Sequence, residues 1–148
     1  KNMGDLNAFL SQNAIKVENR KYVASERFIG EDGKAIEWEL KAIDSDRDRQ
    51  LRKDSTIRVP VLNKKGKATG QYTSETDFNT YTLKLCVETV VFPDLHDAEL
   101  QNSYGVMGAE ELLTTMLTPG EYTDLSSEVG EVNGFDRTFE DKVEEAKN

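Results

Sequence analysis

Few side chains in this sequence could do covalent chemistry, and they do not fall into a working arrangement. Cys86 is the sole cysteine and His96 the sole histidine. A thiol nucleophile needs a base within hydrogen-bond reach, and an imidazole acting as a metal ligand needs companions at ligand spacing. Cys86 instead sits in an apolar run, as a small core hydrophobe would, and His96 in a polar turn. Carboxylates are plentiful, and Asp94 with Asp97 or Glu110 with Glu111 has the form of a glycosidase or metal pair. With 28 acidic residues in the chain, such pairs arise by chance and identify nothing. The lysine- and glycine-rich LNKKGKATGQ segment, ending at Gln71, carries charge suited to phosphate. It lacks the GxxxxGK[ST] pattern and a following helix N-terminus, so it is expected to be a solvated loop or a hairpin tip. The expectation is a protein that is not an enzyme and uses no cofactor or metal.

Charge narrows the partners. The formal net charge of −9 opposes binding to a phosphate backbone, where affinity comes from Lys and Arg displacing counterions. Nucleic acid and anionic membranes are therefore not expected partners. One cysteine makes no internal disulfide, no apolar run approaches the roughly 18 residues of a membrane span, and no basic-then-apolar leader opens the chain. A soluble, intracellular protein is expected. At 148 residues the chain suits one domain, 1–148, which at this size buries roughly 68–70% of its unfolded surface without help from metals.

The elements that would position these residues divide the chain in two. Asp5 is placed to cap a short helix carrying Leu6, Phe9 and Leu10 and ending near Asn13. Residues 15–43 read as a β-hairpin, with Tyr22–Ile29 and Lys34–Ile43 as strands around Gly30-Glu-Asp-Gly33. In the second strand Ile36, Trp38, Leu40 and Ala42 share one face and Glu37, Glu39 and Lys41 the other, which makes Trp38 a core residue. Asp44–Lys53 is nearly all charge around Leu51 and reads as a solvated helix.

Residues 74–134 read as helical. Ser74 and Asp77 open a helix on which Phe78, Tyr81, Leu85, Thr89 and Phe92 recur at steps of three and four, running up to Pro93. It is apolar nearly all round, and so should be the most buried in the chain. A short helix follows, capped by Asp94 or Asp97 and closed at Gly105. Ala109, Leu112, Leu113, Met116 and Leu117 then define one face of an amphipathic helix. Thr118-Pro-Gly-Glu121 is a capping box with proline at the first helical position, and the helix it opens carries Tyr122, Leu125, Val129 and Val132 to a stop at Asn133-Gly134. Residues 135–148 are acidic, offer Phe139, Val143 and Ala146 as apolar positions, and are expected to form a flexible tail. The fold class is α+β, an N-terminal β-hairpin or small antiparallel sheet packed with a mainly α-helical C-terminal half.

The stretch VVFPDLHDAELQNSYGVMGAEELLTTMLTPGEY, residues 90–122, resembles the C-terminal signature of the XkdN-like tail assembly chaperones of phages and prophages of Gram-positive bacteria. YVASERF, the EDGK turn and IEWELKAI are similar to that family's N-terminal hairpin. The resemblance implies a non-enzymatic protein that binds the tape-measure protein and helps tail-tube subunits gather around it. It would act in the host bacterial cytoplasm and be absent from the finished virion. A minor structural component retained in the tail is the competing reading. The partner surface is expected on the C-terminal helices around Tyr122, Leu125, Val129 and Phe139, where an amphipathic acidic face would shield apolar stripes of a helical partner. Only weak self-association is expected. The closing Ala146-Lys147-Asn148 is compatible with a slippery codon run, and the resemblance allows a longer frameshifted product.

Overall fold

Trp38 and Leu40, both buried, sit on the central strand of a three-stranded antiparallel sheet, and the other elements are arranged around the face they present. The computed structural model describes residues 3–135. In chain order these form α1 (Met3–Asn7), β1 (Arg20–Tyr22), β2 (Trp38–Leu40), α2 (Ser45–Asp54), β3 (Thr56–Leu62), β4 (Ala68–Thr76), α3 (Phe78–Thr89), β5 (Val90–Phe92), α4 (Ala98–Ser103), α5 (Ala109–Met116) and α6 (Pro119–Val132). The class is α+β, as the sequence indicates. One sheet has the order β1-β2-β5, and β3 and β4 form a separate two-stranded ribbon.

The N-terminal hairpin is present but looser than alternation suggests. Its strands pair only at Arg20–Tyr22 against Trp38–Leu40, with Tyr22 opposite Trp38, and a single bridge joins Ile29 to Ala35 near the turn. Gly33, at φ +79°, supplies the left-handed turn residue there. Between bridge and ladder the chain leaves strand geometry, buries Ala24 and Ser25, and packs Phe28 at 6.3 Å from Trp38. Core burial outweighs ladder hydrogen bonds over that stretch.

Three helix boundaries also differ from the sequence reading. The α3 helix stops at Thr89, and Val90–Phe92 becomes β5, pairing Leu40 with Val90. The β-branched valines and the restraint imposed by Pro93 on Phe92 favour extended backbone, and β2 offers an open edge. Asp77, not Ser74, caps α3 by accepting from Asn79 N, because Ser74 is taken into β4. Asp5 lies inside α1, which ends at Asn7 instead of near Asn13. So short a helix is marginal without a packed face, and Leu6, Phe9 and Leu10 have none.

The α3 helix packs against α2, α5 and α6 and buries Tyr81, Leu85, Cys86 and Thr89. The charged α2 is more than a solvated surface. Tyr81 donates its hydroxyl hydrogen bond to Asp48, while Arg52 stacks 4.4 Å over the Tyr81 ring and pairs with Asp48 at 2.9 Å. Leu51 is buried in the same core cluster as Tyr81. The expected tail from 136 onward, with Phe139, Val143 and the closing Ala146-Lys147-Asn148, lies outside the described residues.

Candidate functional site

Cys86, Asp94, Asp97 and Glu110 take part in packing, a turn, a cap and an ion pair. Cys86 is fully buried, faces the Ser126 hydroxyl at 3.7 Å, and has its thiol pushed up to about 11 by burial. His96 is exposed, and its backbone N–H donates to Asp94 Oδ1 in the turn. Asp97 caps α4 by accepting from Leu100 N, and Glu110 reaches Lys84 of α3 at 3.4 Å. Glu111 is exposed on α5. Among the described residues no cluster of three His, Cys, Asp or Glu is placed to hold a metal, and no helix is long and apolar enough to cross a membrane.

The partner surface expected on the C-terminal helices meets a different geometry. Leu125 and Val129 are 0% and 1% exposed and belong to the core where α6 packs on α3. Tyr122 is half-buried against the same core, its hydroxyl pushed up to about 12 by burial, with the Cys86 thiol adding and Ser126 opposing. Phe139 lies outside the described residues. An apolar stripe at steps of three and four identifies a covered face, but whether the cover comes from the same chain or another is not in the spacing. Here it comes from the same chain for Leu125 and Val129, which removes both from any surface a partner meets in this fold.

Among the described residues, a run of exposed apolar side chains lies elsewhere. Every described side chain from Gly4 to Arg20 is exposed, including Leu6, Phe9, Leu10, Ile15 and Val17, with Ile15 at 97% and Phe9 at 78%. The segment is folded back on itself by Asn13 Nδ2 donating to Asn7 O at 2.8 Å and by Ala14 N donating to Leu10 O. Five large apolar side chains within residues 6–17 face water, and while scattered single exposures are ordinary, a run of them is not. Sequence spacing marked Leu6, Phe9 and Leu10 as a helix face without indicating that this face is exposed among the described residues.

That segment leads into a body whose halves are clamped by arginines. Arg20 pairs with Glu128 at 3.1 Å and Glu131 at 3.0 Å, joining β1 to α6. Arg27 donates to Met116 O at 2.7 Å and to Glu121 at 2.6 Å, where the chain turns from α5 into α6. Glu121 also completes the capping box, accepting from Thr118 N at 2.9 Å while its own N–H donates to Thr118 Oγ1. The Arg27 guanidinium first, then the Ser25 hydroxyl and the Thr118 N–H, hold the Glu121 carboxyl down at about 2, below its ordinary 4.5. A depressed carboxyl stabilises the fold above its unfolded value and loses that contribution as pH falls through the folded one. The melting temperature is therefore expected to drop as pH is lowered from about 5 to about 2, and the drop should be smaller in Glu121→Gln; equal pH slopes for the two proteins in thermal melts would exclude this clamp as the cause.

The sequence match extends along the chain through both the exposed segment and the body. Residues 6–147 match the family described as phage XkdN-like tail assembly chaperone protein. The chain belongs to that family. XkdN of the phage-like element PBSX of Bacillus subtilis strain 168 is 30% identical over 148 residues, covering 99% of this chain and 96% of that protein. YqbN of the same strain is 31% identical over 145 residues, covering 97% and 93%. The crystal structure of YqbN superposes with a TM-score of 0.72 at 27% identity, covering 89% of this chain and 98% of that one. Membership in the XkdN-like family gives this protein a role in tail assembly with protein partners.

Proposed function

We propose that this XkdN-like chain is a non-enzymatic chaperone that holds the tape-measure protein through its exposed N-terminal segment and helps recruit tail-tube subunits around it. The observation carrying this reading is the uncovered run Leu6, Phe9, Leu10, Ile15 and Val17 beside an acidic body. Apolar side chains shield stripes of a long helical partner, and net negative charge keeps the resulting complex dispersed. The chain would act in the host bacterial cytoplasm during tail assembly and be absent from the finished virion.

The test is co-expression with the tape-measure protein of the same phage, followed by pull-down, comparing the native chain with Phe9→Asp/Ile15→Asp. Both side chains face water, so the melting temperature should hold, each surface change being worth about 0.5 kcal/mol or less. Recovery of tape-measure protein should fall at least about tenfold, equivalent to about 1.4 kcal/mol of binding. Undiminished capture by the double variant would remove the segment from the contact. Stoichiometric recovery of the chain in purified virions would instead establish a built-in tail component.

A further inference from the structure

We propose that the β3–β4 ribbon is a self-association arm that docks by charge on the acidic body of a second copy of this chain. Thr56 pairs with Thr76 at the base and Leu62 with Ala68 near the tip, so the ribbon extends about 20 Å at strand rise. Its strands pack chiefly on each other, and nearly every side chain on them is exposed. A lone two-stranded ribbon is marginal in water. This one is held by Arg58 stacked 4.4 Å over Tyr72, by Thr69 Oγ1 donating to Val61 O at 2.8 Å, and by Asn63, whose side-chain oxygen accepts from the N–H groups of Lys65 and Lys67. The sequence alone left open a solvated loop or the tip of a second hairpin, and the paired strands are the hairpin.

Charge selects the occupant. Arg58, Lys64, Lys65 and Lys67 against Glu75 give the arm a net +3, so the rest of the chain carries −12 where the whole is −9. The tip lysines form no ion pair among the described residues, and neither do the exposed carboxylates Glu99, Glu111 and Asp124 of the body. Unpaired positive charge on a projecting arm and unpaired negative charge on the body complement each other between copies. Arm-to-arm pairing is disfavoured because it sets like charges together. Strand addition is hindered by Pro60, which lacks a donor, by the register slip between Pro60 and Leu62, and by Gly70 at φ +85°. A nucleic-acid strand large enough to span the arm would meet repulsion from the body. The inference stands independently of the tape-measure reading.

The test is sedimentation of the full chain from about 10 to 500 μM in low and high salt, alongside Lys64→Glu/Lys65→Glu/Lys67→Glu. The Debye length falls from about 10 Å at 0.1 M to about 3 Å at 1 M salt, so a contact of this kind weakens across that range. The native chain should associate reversibly and at least about tenfold more weakly in high salt. The triple variant should be monomeric at low salt with an unchanged melting curve, yet still bind fluorescently labelled native chain, because its body remains able to accept an arm. Should the triple variant melt lower, Lys→Gln replacements at the same three positions serve as the folded control, with the same loss of association expected. A native chain monomeric throughout, association indifferent to salt or to the arm charges, failure of the mixed pair to form, or tighter arm-dependent binding of a duplex oligonucleotide than of a second copy would each overturn the proposal.

Discussion

Leu125→Asp is expected to leave the protein without a cooperative unfolding transition at 25 °C, and Leu125→Ala to lower its unfolding free energy by about 2–5 kcal/mol. Leu125 is 0% exposed on α6, at the interface with α3 that also takes in Val129. Truncation to alanine removes buried methyl groups and leaves a cavity that close-packed neighbours fill only in part. Replacement by aspartate forces either an unpaired carboxylate into that interface or the expulsion of α6 from it. Domains have about 5–15 kcal/mol of stability in total, so the second change exhausts what is available. Urea denaturation followed by circular dichroism measures both. An aspartate variant that melts like the native protein would mean that α6 leaves the body readily, and Leu125 would again qualify as part of a partner surface.

Removing the Asn133 side chain is expected to cost about 2–4 kcal/mol, a large effect for a half-buried polar residue near a helix end. Asn133 Oδ1 accepts from Ile43 N at 2.9 Å, and Nδ2 donates to Thr89 Oγ1 and to Val129 O, each at 2.9 Å. One amide therefore joins the chain leaving β2, the end of α3 and the end of α6. Thr89 is 0% exposed, and its carbonyl in turn accepts from Lys41 N at 2.8 Å. In Asn133→Ala the Ile43 N–H and Thr89 hydroxyl lose their partner, at about 1–3 kcal/mol for each buried group left unsatisfied. Pairing it with Thr89→Val in a double-mutant cycle by chemical denaturation should give a coupling of about 0.5–3 kcal/mol. A single-variant loss below about 0.5 kcal/mol would show that water replaces the amide at all three contacts.

Local features were legible in the sequence because the residues that decide them are neighbours. Thr118 and Glu121 specify the start of α6 between themselves, and Asp97 and Gly105 do the same for the two ends of α4. Alternation placed Trp38 and Leu40 on the buried face correctly. The failures are at positions decided by distant residues. Val90–Phe92 continues the apolar spacing of α3 and looks helical until β2 supplies an edge from some fifty positions earlier, as the Leu40–Val90 pair shows. Docking of α2 depends on Tyr81 meeting Asp48 and Arg52, types that in sequence signal only a wet helix. Leu125 and Val129 were read as partner-facing for a related reason. Periodicity identified Leu125 and Val129 as facing something, and identified the Leu6, Phe9 and Leu10 face likewise, but which of the two faces the chain itself covers is a property of the assembled packing.

The place of β5 in the sheet also sets an order of events in time. A ribosome delivers β1 and β2 before Val90–Phe92, the strand that pairs with the other edge of β2, and α3, α5 and α6, which share the core cluster with Trp38 and Leu40, also follow β2 in the chain. Until those residues have emerged, the N-terminal hairpin is a pair of three-residue strands with its tryptophan uncovered, too small to persist alone. The nascent hairpin is thus committed to waiting, and the core is complete only once α6, the last described helix, has emerged.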